Sequence, residues 1–227
     1  MKAMSKNQKT EFSVDRVYEK IQNKIIYGVW NEEHYTHEQK ISEELGANRT
    51  HVRQALSRLQ RDGLIKIIPR YGVQIVPMSL QSMREIYQIS TRIELLAVET
   101  VASKNLTSKE LMPLEKVNRE MATAYESSDL KAFFRANEAF HHGLVTLSEN
   151  QILCDVYKNI YGRTQWARLI MLTLAPPTVA SSQEHAYVLE AICDGKIATA
   201  REKIEQHFEK ELLHVNSLTK FPPHSPF

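Results

Sequence analysis

The chain has little of what would constrain it covalently or anchor it in a lipid bilayer. It carries only two cysteines, Cys154 and Cys193, not in a Cys-x-x-Cys pair. That excludes a disulfide framework and suits a reducing compartment. Long apolar runs are missing. The longest, Leu169-Ile170-Met171-Leu172, stops at Thr173, far short of the ~20 residues a spanning helix needs. The first ten residues are polar and basic, with no apolar signal core behind them. A cytoplasmic protein without membrane association is expected. Glycines number only seven in 227 residues, so each reads as punctuation between elements.

Hydrophobic residues make up 42% and charged residues 25%, a globular composition. At about 100–200 residues per domain, two modest domains fit the length. The formal net charge is +2, unevenly spread. Between Ala47 and Gly72 lie Arg49, Arg53, Arg58, Arg61, Lys66 and Arg70 against Asp62 alone. A local +5 leaves −3 for the rest, and such a patch is an electrostatic footprint for nucleic acid. A solvated helix face would look the same by charge alone, so position decides.

Val14, Val17, Ile21 and Ile25 give a helix over 14–27, ended by Gly28. A short helix covers 37–45 and ends at Gly46. Asn48 then offers an N-cap to a third helix, which buries Val52, Leu56 and Leu59 and stops near Gly63. Two β-rich runs, 64–68 and 73–76, flank the turn Pro69-Arg70-Tyr71-Gly72. From Ser79 onward only helical periodicity remains, in segments 79–103, 107–127, 129–147, 150–174, 179–193 and 196–217. Pro176-Pro177 is one of the breaks. The expected fold is mainly α: an N-terminal winged helix-turn-helix over 1–77, three helices plus a β-hairpin. An all-α antiparallel bundle of about six helices over 78–220 follows, then a tail at 221–227.

In a helix-turn-helix the second helix enters the major groove by its N-terminal tip. Here that tip carries Asn48, Arg49, Thr50, His51 and Arg53. Arginine can read guanine O6/N7 and asparagine can pair with adenine, while Thr50 and backbone N–H groups suit phosphate. Arg70 and Gly72 would form the wing. The stretch 14–77 resembles the N-terminal domain of GntR-type regulators. The resemblance rests on Gly28-Val29-Trp30, Leu45-Gly46, Arg49-Thr50, Val52-Arg53, Ala55-Leu56, Leu59, Asp62-Gly63-Leu64-Ile65 and Gly72 with Val76. It implies DNA contact by Asn48, Arg49, Thr50, His51, Arg53 and the wing glycine. Gln39 stands where the family often has arginine, which adds an uncharged contact and a shifted operator preference.

Asn137 and His141 share one face of a helix at i and i+4; His185 and His207 sit on the apolar faces of two later helices. Three imidazoles from one bundle can surround a divalent ion such as Zn²⁺ or Ni²⁺, with Asn137 or water as fourth ligand. Satisfied core histidines account for the same spacing. The segment 79–217 resembles the FCD ligand-binding domain of the FadR-like branch, in its shorter VanR-type form. The matching residues are Asn137, Phe140-His141, Ser148-Glu149-Asn150, Glu184-His185 and His207. The resemblance implies a metal held by Asn137, His141, His185 and His207, with a small carboxylate effector beside it. Asn137 replaces the usual Asp and lowers the negative charge of the site. Arg92, Arg163 and Arg168 are candidate effector contacts; Ser90 stands where the family often has arginine.

The sequence therefore reads as a non-enzymatic regulator, repressor or activator, binding operator DNA as a homodimer. The runner-up is a metal-dependent hydrolase on the three-histidine site, with Glu138 or Glu184 as base. It lacks a known catalytic motif and leaves the basic helix unexplained. An architectural DNA-binding protein would not need the inward histidines. Ile86-Ile89-Ile93-Leu96 and Ile160-Trp166-Ile170 serve equally as a dimer face or as core.

Overall fold

The computed structural model describes residues 13–26, 29–30, 35–174 and 178–217. The expected end of the first helix at Tyr27-Gly28, the Pro176-Pro177 break, the N-terminal ten residues and the tail from 221 lie outside them. The chain divides into two compact units, Met1–Pro77 and Met78–Phe227.

In the first unit, α1 (Val14–Ile26), α2 (Glu38–Leu45) and α3 (Arg49–Arg61) pack with a three-stranded antiparallel sheet. Its strands are β1 (Tyr35–Thr36), β2 (Ile65–Ile68) and β3 (Gly72–Ile75), in the order β1-β3-β2. The β2–β3 hairpin is the expected one, with Ile65 opposite Ile75 and Ile68 opposite Gly72. β1 is an addition: two residues are too few to show a period. The core is built from Val17, Ile21 and Ile25 of α1, Ile41 of α2, Val52, Leu56 and Leu59 of α3, and Ile65, Val73 and Ile75 of the sheet.

Two glycines make the local geometry. Gly46 ends α2 in the left-handed region (φ 63°) and returns its N–H to Glu43, turning the chain sharply into α3. Gly72 lies at φ 98°, and a Cβ there would stand 2.3 Å from the Thr36 carbonyl oxygen and 2.7 Å from His37 Nδ1. The wing glycine is thus required by the close approach of β1, a reason internal to the domain.

The second unit holds α4 (Leu80–Ala102), α5 (Ser108–Glu126), α6 (Leu130–Leu147), α7 (Gln151–Leu174), α8 (Val179–Cys193) and α9 (Ile197–Ser217). Caps fix their starts. Ser79 accepts from the Ser82 N–H, Thr107 and Glu110 form a capping box, Asp129 accepts from Ala132 and Asn150 from Leu153. Ser148-x-Asn150 is this last turn: the Ser148 hydroxyl donates to Val145 O and accepts from the Asn150 N–H. α5 packs on α6, and α9 on both α4 and α8. Leu95, Val98, Leu111, Phe140, Leu144, Val188, Ile192, Ile204 and Phe208 form a shared core. It leaves polar faces of α4, α6, α7, α8 and α9 turned toward one another.

Candidate metal centre and nucleic-acid interface

α3 begins at the tip expected to read DNA. Asn48 caps it, its side-chain oxygen accepting from the Thr50 N–H at 2.8 Å. The cap uses one lone pair of this oxygen; the second, with the exposed side-chain NH2, leaves the expected pairing with adenine open. Arg49, Thr50 and Arg53 are exposed and His51 half-buried. Gln39 is exposed and donates to Glu43 Oε1. Arg70 is exposed at the hairpin tip with φ 69°, a region that non-glycine residues adopt only under constraint. A groove of about 390 Å³ runs between α3 and the wing, lined among others by Gln39, Arg49, Arg53, Arg70 and Gly72. Not every cation of the patch belongs to it. Arg58 pairs with Asp15 and lies over the Tyr18 ring, whose hydroxyl donates to the buried Asp62. Burial, then that carboxylate, raises the Tyr18 pKa.

In the helical unit His141 (α6), His185 (α8) and His207 (α9) are all buried, and each offers a ring nitrogen within 4.8 Å of the others. Two carboxylates orient the rings. Glu94 Oε2 lies 2.6 Å from His141 Nδ1, and Glu184 Oε2 lies 2.7 Å from His207 Nδ1. His185 is positioned instead by stacking on Phe140, at 3.8 Å between centroids and 3° between planes. Nε2 of His141, Nε2 of His207 and both nitrogens of His185 are buried with no hydrogen-bond partner. Buried polar atoms are normally paired, so four orphaned ring nitrogens in one cluster call for something to bind. Carboxylate-to-imidazole contacts are also what metal-ligating histidines use on the side away from the ion. Burial, then neighbouring Arg168 and His207, holds the His141 pKa well below 6.5. Burial, then His207, does the same for His185. Neutral imidazoles are the ligating form, so the donor set fits a divalent ion of borderline softness.

Asn137 lies one turn before His141 and lines a cavity of about 280 Å³ with Arg168, Glu184, His207, Lys210 and Glu211. Of the three expected effector arginines the structure brings only Arg168 here. Arg92 is exposed and pairs with Glu205, and Arg163 is exposed on α7; neither lines the cavity. A single helix places residues 163 and 168 about 140° apart, which is why one turns inward and the other outward. Even Arg168 is committed. It donates to Glu94 at 2.5 Å, Glu138 at 3.2 Å and Tyr157 OH at 3.3 Å, leaving Nε unpartnered.

Two carboxylates outside the expected ligand set, Glu94 and Glu138, belong to this cluster through Arg168. Glu94 is fully buried, bridging His141, Tyr157 and Arg168. Burial raises its pKa, opposed by Arg168; burial likewise pushes Glu138 up to about 7. The signal was present: Glu94 continues the stripe Met83, Ile86, Tyr87, Ser90 and Ala97, all buried.

Comparison with known proteins agrees with both units. The profile of "Bacterial regulatory proteins, gntR family" matches residues 13–75, and that of the FCD domain matches residues 85–210. An HTH-type transcriptional regulator of Agrobacterium vitis, from the TAR-I ttuE-ttuC' intergenic region, is 33% identical over 134 residues. These are 58% of this chain and 78% of that protein. YdhC of Bacillus subtilis (strain 168), also an HTH-type regulator, is 26% identical over 199 residues, 87% of this chain and 88% of that one. The structure of E. coli McbR/YncC superposes with a TM-score of 0.76 at 20% identity. The match covers 89% of this chain and 96% of that one, and it shows a shared fold. The relatives are transcription regulators and not enzymes, so the hydrolase reading falls. Among the described residues no helix is long and apolar enough to cross a membrane. A winged helix-turn-helix followed by an FCD helical bundle places this chain in the GntR family of DNA-binding transcription regulators.

Proposed function

We propose that the chain is an operator-binding homodimer whose DNA affinity is set by a small organic acid bound near a divalent metal in the helical unit. Residues 1–77 form the DNA-binding domain and 78–220 the effector domain, ahead of a tail at 221–227. The carrying observation is the pairing of two features in one chain: an exposed cationic α3 tip beside a wing, and a buried cluster of orphaned imidazoles beside a cavity. Arg49 and Arg53 would read base edges. Thr50, His51, Gln39, Arg70 and the backbone at Asn48 and Gly72 would hold phosphates. Asn137, His141, His185 and His207 would hold Zn²⁺ or Ni²⁺, which would supply positive charge for a carboxylate. Arg168 Nε and Lys210 offer further donors. The cavity volume suits a molecule of a few carbons rather than a larger ligand.

A dimeric reader of paired half-sites responds to small changes in the placement of its two tips. An effector acts if it binds one arrangement better than the other. A cytoplasmic repressor released by its effector is the simplest form. Selecting bound duplexes from a random library, then measuring affinity with and without chelator, tests the scheme. Arg49→Ala should weaken binding to the selected duplex by about 1–3 kcal/mol at fixed salt. Unchanged affinity refutes the interface. Affinity that ignores both chelator and organic acids refutes the regulation.

A further inference from the structure

The groove-facing surface of the first unit holds one acid that its electrostatics do not call for. Glu38, the first residue of α2, takes Arg53 at two points: Arg53 Nε donates to Oε2 and Nη2 to Oε1, both at 3.0 Å. The same carboxylate lies 3.9 Å from Arg49 Nε. A carboxylate here repels a polyanion, so its presence weakens DNA binding in general. An acid in the first turn of α2 is favoured by the helix dipole. That accounts for an acid at 38, but not for its grip on a cation fifteen residues later on the reading helix.

We propose that Glu38 is a specificity-determining residue, a latch that withholds Arg53 from the DNA backbone until a base edge displaces it. The inference rests on the reading of α3 as the groove helix. Phosphate and guanine alike replace Glu38 with no net gain in hydrogen bonds, so Glu38 cancels the general pull of the backbone and leaves the fixed geometry of the base edge to decide. A guanine offers two aligned acceptors, O6 and N7, matching the two-point geometry Arg53 already holds. Random sequence therefore meets an arginine whose charge is neutralised, and the correct half-site meets one already shaped as a fork. Holding the guanidinium in place also removes rotamer freedom before binding.

The test uses full-length wild type, Glu38→Gln, Arg53→Ala and the double variant, titrated with a random-sequence duplex over a range of salt concentrations. Glutamine keeps the shape and the first-turn position, and thermal melting checks folding. Glu38→Gln should bind random duplex several-fold more tightly. Its log K should fall more steeply with log salt, by about one further unit of slope, as expected for one freed cation. Arg53→Ala should bind more weakly, and adding Glu38→Gln to it should restore little. The ratio of selected-duplex to random-duplex affinity should fall in Glu38→Gln. An unchanged or weakened random-duplex affinity in folded Glu38→Gln overturns the latch. So does a gain that persists undiminished in the Arg53→Ala background, which makes Glu38 a diffuse negative charge. Arg53→Ala with full DNA affinity overturns the reading of α3 itself, and the latch with it.

Discussion

Glu94→Gln is the most informative single change in the helical unit. The substitution keeps the volume and removes one charge from a site with no solvent access. Three partners feel it: Arg168, His141, and Tyr157, whose hydroxyl donates to Glu94 Oε1 at 3.2 Å. Arg168 loses its shortest contact, at 2.5 Å, and keeps Glu138 at 3.2 Å and Tyr157 at 3.3 Å. His141 keeps an acceptor for Nδ1–H but loses the anion that makes its far nitrogen more basic. Breaking a buried ion pair by removing one partner destabilises by about 3–5 kcal/mol, because the other charge is left buried. The remaining Glu138 places the expected loss at the lower end, about 3 kcal/mol. Removing a carboxylate behind a metal-bound imidazole weakens metal binding about 10–100-fold. The chain has two tryptophans, Trp30 in the first unit and Trp166 in the second. Urea unfolding of a Trp30→Phe background, followed by fluorescence, thus reports the helical unit through Trp166. Zinc affinity follows from competition with a chromophoric chelator. A midpoint and a zinc affinity both equal to wild type would refute the claim that Glu94 organises the site.

Three further outcomes follow from the geometry. In metal-free protein, His141 and His185 should each subtract stability on acidification from pH 7 to 5. Both have folded pKa values held below 6.5, so at these two sites the unfolded chain binds more protons in this range. Glu94, Glu138 and Glu211, whose values burial raises, act in the opposite sense. His185→Phe should remove one of the two losses in urea titrations, and an unchanged profile contradicts the assignment. Gly72→Ala should destabilise the first unit by well over 1 kcal/mol, since both φ 98° and the Thr36 carbonyl oppose a Cβ. Melting followed at Trp30 would show it, and a neutral result would discredit the β1 contact. Asn48→Ala should remove a helix cap worth about 1 kcal/mol; no change in first-unit stability means the cap is not formed in solution.

The helical pattern was legible because apolar spacing and caps mark it directly. The six segments from Ser79 onward end within a residue or two of α4 to α9. Gly46, Asn48 and the hairpin signals likewise located the helix-turn-helix. What escaped depends on long-range contact. β1 has no period of its own and exists because β3 pairs with it. The use of Gly72 becomes visible only when Thr36 arrives beside it. His141, His185 and His207 could be placed on inward faces, but spacing cannot show that their free nitrogens converge. Nor could it show that Arg168 turns in while Arg92 turns out. Glu94 was hidden by residue type: a glutamate on an apolar stripe is ordinarily a solvated neighbour, and only the arginine 74 positions later makes its burial tenable.

The central claim, that three buried imidazoles and Asn137 hold one divalent ion, is most directly tested by titrating metal-free protein with Co²⁺ and following its d–d absorption. Wild type should saturate at one ion per chain with a spectrum of nitrogen-rich coordination. His141→Ala, His185→Ala and His207→Ala should each lose that signal while remaining helical by circular dichroism. A wild-type titration without saturable absorption, or one that any of these three variants reproduces unchanged, would contradict it.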